Sequence, residues 1–192
     1  MNDKKSLLGT SLDSFLGGKV SLYQPIGGYR ANVDSVFLAS SIVAKKGQTV
    51  LELGCGVGTV SICLMSRVPE LKVVGIEVQK RYADLAKWNF KINGFKADIL
   101  ESCISQIPLE HKALKYDHVV LNPPYHMLQK SKKIKNKEKA ISKNEFDLAL
   151  DDWLNIAITR CAVRGKIVII HKAERLSQIL KIFDSRVGGI QI

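Results

Sequence analysis

One glycine-rich stretch organises this sequence, and it reads Val50-Leu51-Glu52-Leu53-Gly54-Cys55-Gly56-Val57-Gly58-Thr59. Its apolar, partly β-branched beginning predicts a buried strand, and the apolar spacing from Thr59 to Met65 predicts a helix after the glycines. The loop between strand and helix predicts backbone N–H groups that approach a ligand closely. A glycine-rich turn without a ligand would have the same pattern, so the loop alone leaves both interpretations open.

The spacing of the glycines separates two classes of nucleotide ligand. A dinucleotide fingerprint has two residues between its second and third glycines, which set the helix against the pyrophosphate. In this sequence Gly54, Gly56 and Gly58 alternate evenly, and Glu52 precedes them. This pattern favours S-adenosylmethionine, and we predict that these four residues bind it.

A second buried strand is predicted over residues 71–77, and Glu77 stands at its end. A carboxylate accepts hydrogen bonds only, so at this place it can bind both hydroxyls of a ribose. The alternative is a solvated surface charge. A helix over residues 80–92 and strands over residues 98–104 and 116–121 continue the alternation. Together these elements predict an α/β fold with a doubly wound, Rossmann-like sheet.

The fourth predicted strand runs directly into the tetrapeptide Asn122-Pro123-Pro124-Tyr125. An amine conjugated to a ring or carbonyl group is a poor nucleophile, so an enzyme that methylates it must hold both N–H groups in place. The Asn122 side-chain oxygen and the Pro123 carbonyl can accept them, and Tyr125 offers a face on which a base stacks. We therefore predict Asn122, Pro123 and Tyr125 as the catalytic residues. A rigid turn after a strand is the alternative.

Composition limits the function classes. At 192 residues the chain predicts one domain, and its net charge of +11 makes a polyanion the first partner to consider. No apolar run is long enough to span a bilayer, and the beginning lacks a signal-peptide core, which predicts a cytoplasmic protein. The cysteines and histidines lack metal-ligand spacing, so no metal is expected and the cysteines should be reduced and buried.

A family resemblance rests on several segments taken together. The segments Gln24-Pro25, Gly28-Tyr29-Arg30 and Asp34-Ser35-Val36-Phe37-Leu38-Ala39 precede the glycine loop and the tetrapeptide. In this order they resemble the bacterial tRNA1(Val) (adenine-N6)-methyltransferases, which are class I S-adenosylmethionine-dependent enzymes. The resemblance implies a tRNA substrate methylated at N6 of an adenine. It also implies that Arg30 and Asp34 line the methionine end of the cofactor.

The sequence departs from that family at two places. Ser102 and Cys103 stand where related enzymes carry a carboxylate near the cofactor's adenine, unless Asp98 or Glu101 substitutes for it. The chain ends at Ile192, where the family continues into further strands. The resemblance therefore predicts a sheet without its last C-terminal strand or strands.

The remaining segments allow predictions about order, helices and strands. Met1–Gly18 is expected to be poorly defined, and Asp34 is expected to cap a helix that reaches Gly47. Residues 129–144 contain seven lysines, which indicate either an RNA-contacting loop or a solvated one. Farther on, we expect a helix with a core stripe that includes Phe146 and Trp153 and ends at Gly165, a strand over residues 166–170, and a helix over residues 176–183. His126 and His171 follow strand ends, which leaves two alternatives open: they approach the site, or they are solvent-facing loop residues, which are more common.

Two alternatives to tRNA adenine methylation remain open at this point. The tetrapeptide is also found in protein-glutamine N5-methyltransferases, for which a longer helical N-terminal domain than Met1–Gly18 is expected. A catalytically degenerate, RNA-binding relative is the non-enzymatic alternative. The sequence leaves the oligomeric state open.

Overall fold

The computed structural model describes residues 7–125 and 148–192. A central sheet of five parallel strands contains β3 (Thr49–Leu53), β4 (Lys72–Glu77), β5 (Ala97–Glu101), β6 (Tyr116–Leu121) and β7 (Cys161–Ile169), in the order β5-β4-β3-β6-β7. The first two strands, β1 (Thr10–Phe15) and β2 (Val20–Pro25), form a separate antiparallel hairpin. The helices are α1 (Val33–Ser41), α2 (Thr59–Met65), α3 (Lys80–Ile92), α4 (Leu109–Lys112), α5 (Leu150–Arg160) and α6 (Leu176–Phe183).

The strand order confirms the predicted doubly wound sheet. From β3 the chain winds outward to β4 and β5 on one side, and it then returns to pair β6 on the other side of β3. Such a reversal leaves a crevice at the carboxyl ends of the strands, where open α/β sheets bind ligands. Leu53 is opposite both Ile76 and Leu121 in the register. The segments that follow β3, β4 and β6 therefore emerge side by side at this edge.

Apolar residues bury both faces of the sheet. One core cluster contains residues of the hairpin, α1, α2 and α3, including Leu22, Leu38, Ile62 and Phe90. The other contains residues of α5 and α6, including Leu154 and Phe183. In β3, Val50 belongs to the first cluster and Leu51 to the second, as the alternation of side chains along a strand requires.

The N-terminal segment is more ordered than its sequence predicts. Thr10–Phe15, part of the stretch expected to be poorly defined, pairs with β2 along its whole length, from Thr10 opposite Pro25 to Phe15 opposite Val20. That expectation was wrong because the pairing with β2 stabilises this strand, whereas its polar composition alone does not predict one. Residues 1–6 lie outside the described residues.

Asn89 of α3 and Asn93, the C-cap residue of that helix, occupy the outer edge of β2. The Asn89 side chain accepts from the Tyr23 amide (2.8 Å) and donates to the Tyr23 carbonyl (3.0 Å). Asn93 makes the equivalent pair with Ser21, at 3.0 and 2.7 Å. These four bonds fasten the hairpin to the helix that follows β4.

The start and end of α1 correct the predicted boundaries. Asn32, rather than Asp34, is the N-cap, because its side-chain oxygen accepts from the Asp34 amide at 3.0 Å. The helix ends at Ser41 and does not reach Gly47, since Ile42 adopts extended backbone angles. Asp34 therefore lies inside the first turn.

The boundaries farther along also differ from the predicted ones. Strand β5 ends at Glu101, before a 3₁₀ turn at Ile104–Gln106. Helix α5 ends at Arg160 rather than Gly165, and β7 begins immediately with an irregular stretch in which Arg164 has a φ of 63°. A Cβ at Gly165 would lie 3.0 Å from the Asp117 carbonyl oxygen, so this glycine lets β7 pass close to β6. Residues 184–192 follow α6 without a strand, as the structure describes them.

Candidate functional site

A cavity of about 460 Å³ opens at the carboxyl ends of β3, β4 and β6. Its walls come from four parts of the chain: the segment before α1, the glycine loop, the residues after β4 and β5, and the tetrapeptide with the start of α5. The switch point of the sheet thus coincides with a cavity large enough for a small molecule.

The structure brings most of the predicted site residues together around this cavity. Those that line it are Asp34, Glu52, Gly54, Gly56, Glu77, Asn122, Pro123 and Tyr125. Gly58 lies next to the cavity as the N-cap residue of α2. Arg30 takes part in a hydrogen-bond network with the hairpin and is not among the lining residues.

All three glycines of the loop have left-handed backbone angles. Their φ values are 67° at Gly54, 55° at Gly56 and 86° at Gly58, which residues with a Cβ rarely adopt. The loop is held to the sheet and closed on itself, because the Cys55 amide donates to the Ile76 carbonyl at 2.9 Å and the Gly58 amide donates to the Cys55 carbonyl at 2.8 Å. The alternation of glycines in the sequence therefore reflects three separate conformational requirements.

Glu77 connects the end of β4 to the glycine loop. Its two carboxylate oxygens accept hydrogen bonds from the Gly56 amide (2.9 Å) and the Gln79 amide (2.8 Å). The side chain is buried, and this burial raises the pKa of Glu77. Each carboxylate oxygen has a further lone pair, so the group keeps acceptor capacity toward the cavity.

Glu52 is the more deeply buried carboxyl group of the site. It accepts hydrogen bonds from the amide of Ser61, at 3.1 Å, and from the Ser61 hydroxyl, both in the first turn of α2. Burial raises the pKa of Glu52 to about 7, and the bonds from Ser61 partly oppose that rise. The carboxyl group thus holds α2 against β3 while it lines the cavity.

One buried hydroxyl of the cavity wall has no hydrogen-bond partner among the described residues. It belongs to Thr59, the first residue of α2. A buried polar atom without a partner is costly, so a ligand that supplies one is favoured at this place. Together with the left-handed glycines and the carboxylates of Glu52 and Glu77, Thr59 gives the cavity the donors, acceptors and close backbone approach that suit S-adenosylmethionine.

The tetrapeptide is connected to α1. The Tyr125 hydroxyl donates a hydrogen bond of 2.9 Å to the carboxylate of Asp34. Burial and the Asp34 charge raise the pKa of Tyr125 above its usual range, so the hydroxyl stays protonated. The His171 ring meets the Tyr125 ring edge-on at 5.3 Å, and the Lys172 amine lies 6.0 Å from its centre. His171 therefore approaches the site, which is the less common of the two alternatives that the sequence leaves open.

Arg30 lies behind the cavity wall and bonds to residues of the hairpin. Its guanidinium forms an ion pair with Asp13 of β1 and donates to the Pro25 carbonyl at 2.6 Å. Gln24 completes the network, because its amide nitrogen donates to Asp13 at 2.6 Å and its oxygen accepts from the Ala31 amide at 2.7 Å. The network fixes the backbone on either side of Arg30.

Two residues of the site are not identified by the sequence. Helical spacing places Tyr82 only on a helix face, yet its hydroxyl accepts from the Tyr29 amide at 2.9 Å and reaches the cavity. The same spacing places Trp153 in the core, yet its side chain lines the cavity. Neither position has a local signal, since helical apolar spacing does not distinguish a core contact from a contact at the end of a sheet.

The two carboxylates considered as substitutes near the adenine lie elsewhere. Asp98 is 3.4 Å from His111, and Glu101 is 3.5 Å from the amine of Lys80. Cys103 lines the cavity at this place, together with Ile104. Cys55, Cys63 and Cys103 are buried as expected, whereas Cys161 is half-buried.

Some sequence predictions fall outside the described residues. They concern the lysine-rich segment at residues 129–144, His126 and Phe146. Within residues 7–125 and 148–192, no group of three or more histidine, cysteine, aspartate or glutamate side chains is placed to hold a metal ion. The same ranges contain no helix of the length and apolarity needed to cross a membrane.

A family model described as methyltransferase small domain matches residues 29–151. The chain belongs to the methyltransferase small domain family. The match begins at the segment before α1 and includes the glycine loop, Glu77 and the tetrapeptide. It confirms the predicted resemblance to class I methyltransferases and S-adenosylmethionine as the cofactor of this methyltransferase domain.

Two relatives show the range of substrates in similar proteins. The tRNA1(Val) (adenine(37)-N6)-methyltransferase of Glaesserella parasuis is 24% identical over 161 residues, which cover 79% of this chain and 63% of that protein. The release factor glutamine methyltransferase of Aliivibrio fischeri is 34% identical over 92 residues, which cover 47% of this chain and 31% of that protein. The chain thus spans less than two thirds of the length of either relative.

Solved structures support the same fold. The 16S rRNA N2 G1207 methyltransferase of T. thermophilus, in complex with AdoMet and guanosine, has a TM-score of 0.62 to this chain at 19% identity. The match covers 83% of this chain and 41% of that one. At this level of identity the likeness shows a shared Rossmann-like methyltransferase fold.

Proposed function

We propose that this domain transfers a methyl group from S-adenosylmethionine to the exocyclic N6 of an adenine in tRNA. The observation that carries the proposal is the position of Asn122-Pro123-Pro124-Tyr125 directly after β6, on the wall of the same cavity as the glycine loop. Leu121 and Leu53 are paired in the register, so the tetrapeptide and the loop leave the sheet next to each other. The choice of tRNA adenine follows the family resemblance and the relative from G. parasuis.

The tetrapeptide suits the orientation of a weakly nucleophilic amine. S-adenosylmethionine supplies an activated methyl group when it is bound. Asn122 lines the cavity, and its side-chain oxygen accepts one amine hydrogen while the Pro123 carbonyl accepts the other. These bonds hold the amine lone pair toward the cavity, and the fixed orientation lowers the entropic part of the barrier. After the methyl group has been transferred, the amine releases one proton to water or to a nearby group, while Asn122 only accepts a hydrogen bond.

Tyr125 provides the surface on which the target base stacks. Base–aromatic stacking contributes about 1–3 kcal/mol, which offsets part of the cost of turning a base out of its stack. The hydrogen bond to Asp34 restrains the phenol ring. The ring is therefore held in one orientation before the base arrives, which reduces the entropy lost on binding.

Other residues hold the cofactor from three sides. Glu77 accepts hydrogen bonds from the ribose hydroxyls, and Asp34 lines the part of the cavity that holds the methionine end of the cofactor. Gly54, Gly56 and Gly58 let the loop backbone approach, and Glu52 and Thr59 complete the polar wall. Arg30 contributes indirectly in this proposal, because its bonds to Asp13 and Pro25 fix the segment that carries Tyr29 and Asn32 into the cavity.

RNA binding is the part of the proposal that depends most on charge. The net charge of +11 favours a polyanionic substrate, and seven of the lysines fall at residues 130–143, outside the described residues. Neutralising several of them should weaken RNA binding and reduce the salt slope by about 0.7 to 0.9 for each phosphate that is no longer neutralised. An unchanged slope would mean that the segment is only solvated surface.

Glutamine methylation is the second candidate, favoured by the 34% identity to the release factor enzyme. A side-chain amide and an adenine amine present similar N–H groups to Asn122 and Pro123, so this part of the site fits both. The deciding experiment incubates the chain and labelled S-adenosylmethionine with unmodified total tRNA or with glutamine-containing release factor. Nucleoside analysis should detect N6-methyladenosine, and Asn122→Ala should form much less of it in the same time. Label in release factor alone would favour the second candidate, and label in neither would favour the degenerate alternative.

A further inference from the structure

Trp153 is placed differently from the other apolar residues of α5. Leu150, Leu154 and Ala157 are buried against the sheet. Trp153 lies one turn after Leu150 but is only partly buried, and its side chain forms part of the cavity wall. Its ring therefore has one side packed on the core and another side open to the cavity.

The ring lies directly against the backbone of the glycine loop. A Cβ added at Gly54 would be 2.7 Å from Cη2 and 3.0 Å from Cζ3 of Trp153, closer than side-chain atoms approach one another. Glycine at position 54 is therefore required twice, for its φ of 67° and for this contact. The loop and the indole support each other, which fixes the ring near the carboxyl end of β3.

The neighbouring walls make this part of the cavity apolar. Ile76 and Ile104 belong to the core cluster against which Trp153 and Leu148 pack, and all four residues line the cavity. The carboxylates of β5 are turned to other partners, Asp98 to His111 and Glu101 to Lys80. A flat, aromatic group fits such a surface better than a charged one, and the only flat aromatic part of S-adenosylmethionine is its adenine.

We propose that Trp153 is the surface on which the adenine ring of the cofactor packs. An indole that is already fixed by Gly54 loses little freedom on binding, so most of its stacking energy is available to the ligand. In this arrangement the domain recognises the base by contact area on Trp153 and Ile104, while Glu77 recognises the ribose. This inference rests on the cofactor and is independent of the substrate that receives the methyl group.

Tryptophan fluorescence tests the proposal directly, because the chain contains only two tryptophans. The other, Trp88, is on α3, with the Lys91 amine 5.0 Å from its ring centre, and is not among the residues that line the cavity. In Trp88→Phe, titration with S-adenosylhomocysteine should change the remaining emission saturably, with the Kd found by calorimetry. In Trp153→Phe the emission of Trp88 should stay constant. Constant emission from Trp88→Phe under saturating ligand would overturn the proposal.

Calorimetry on two further variants separates stacking from simple filling of space. Trp153→Leu keeps an apolar side chain but no ring, and its Kd for S-adenosylhomocysteine should rise about 5- to 150-fold, the loss expected for one base–aromatic stack. Trp153→Phe keeps a ring and should lose less than about fivefold. Circular dichroism confirms that both variants are folded. Equal affinities for the Leu and Phe variants would make Trp153 a core residue only.

Cofactor binding and tRNA methylation are measured separately, so the Trp153 proposal and the tRNA proposal can fail independently. A chain that binds S-adenosylhomocysteine with a Trp153 signal but leaves tRNA unmethylated would support this proposal and contradict the tRNA one. If the unchanged chain methylates tRNA and Trp153→Leu binds S-adenosylhomocysteine normally, the tRNA proposal is supported and the Trp153 proposal is contradicted.

Discussion

The Tyr125 hydroxyl and the Asp34 carboxylate are 2.9 Å apart and are separated by 91 positions in the sequence. The bond joins the tetrapeptide after β6 to the first turn of α1, and both residues line the cavity. The segment proposed for the methionine end of the cofactor and the segment proposed for the target base are therefore mechanically connected. A change on either side is expected to affect the other.

A double-mutant cycle measures this connection. Tyr125→Phe removes the hydroxyl and keeps the ring, and Asp34→Ala removes the acceptor. Because both residues are partly exposed, we expect a coupling of about 0.5–2 kcal/mol in the free energy of unfolding. Urea denaturation of the two single variants and the double variant gives the value. Strictly additive effects would show that the bond contributes nothing to the fold.

Asn122→Ala tests the proposed chemistry. The variant loses the side-chain acceptor for the substrate amine, and the loss of one preorganised hydrogen-bonding group of this kind commonly lowers the rate about a hundredfold or more. Cofactor affinity should stay close to that of the unchanged chain, since Asn122 is assigned to the substrate. Single-turnover methylation and calorimetry measure the two quantities. A normal rate would remove Asn122 from the mechanism.

Glu77→Ala tests the ribose role, with Glu101→Ala as a matched control at the end of the neighbouring strand. Glu77 lines the cavity, whereas Glu101 pairs with Lys80 outside it. Removing Glu77 also frees the Gly56 and Gln79 amides, so the loss of affinity should be about 1–3 kcal/mol, or about 5- to 150-fold in Kd. The Glu101 variant should bind normally. Equal affinities for the two variants, measured by calorimetry, would contradict the assignment.

The buried Glu52 predicts a pH dependence of stability. Burial raises its pKa from 4.5 to about 7, so the folded chain keeps a proton that the unfolded chain releases. Stability should therefore fall as the pH rises from 4.5 to about 7 and then level off. The loss is at most about 3.5 kcal/mol, because the pKa rises from 4.5 to about 7 and one pKa unit corresponds to about 1.4 kcal/mol.

Glu52→Gln isolates this contribution. Glutamine keeps an oxygen that accepts a hydrogen bond from Ser61, but it cannot ionise. The unfolding free energy of the variant should therefore not fall between pH 4.5 and about 7 as that of the unchanged chain does. Urea denaturation at pH 5, 6, 7 and 8 compares the variant with the unchanged chain, and Glu174→Gln serves as an exposed control. If the unfolding free energies of Glu52→Gln and the unchanged chain change with pH in the same way, folding does not raise the pKa of Glu52.

Gly58→Ala and Gly47→Ala form a matched pair of substitutions in left-handed backbone. Their φ values are 86° and 80°, but a Cβ at Gly58 would lie 2.8 Å from Cε2 of Phe90, whereas Gly47 has open space around it. Both variants should lose about 1–2 kcal/mol from the backbone conformation. The Gly58 variant should lose more, because the Phe90 ring must move. Thermal denaturation should rank it below the Gly47 variant, and the opposite order would contradict the steric argument.

The central sheet can be predicted well where the signal is local. Strands β4 and β6 and helices α2 and α3 are predicted nearly to the residue, because buried parallel strands and amphipathic helices have characteristic apolar spacing. The site at the sheet switch point follows from the same elements. In contrast, β1 has a polar sequence, and its pairing depends on contacts with β2 that composition does not reveal.

Side-chain partners across long separations cannot be predicted in this way. Nothing in the sequence indicates that Arg30 pairs with Asp13, because the ion pair exists only after the hairpin has folded. The same holds for Trp153, since its contact with Gly54 joins two elements that are far apart in the chain. A motif predicts which residues are present at a site, whereas the orientation of each side chain is decided by the packing around it.

The bonds of Asn89 and Asn93 to β2 have a consequence for the solubility of the chain. Asn89 and Asn93 each make the pair of bonds with a β2 residue that an opposing strand would otherwise make. An unpaired strand edge is a template on which another polypeptide can add, and this one is already occupied by carboxamide groups. A second molecule would have to displace both side chains before it could extend the hairpin. The helix thus protects its own protein from strand-to-strand association.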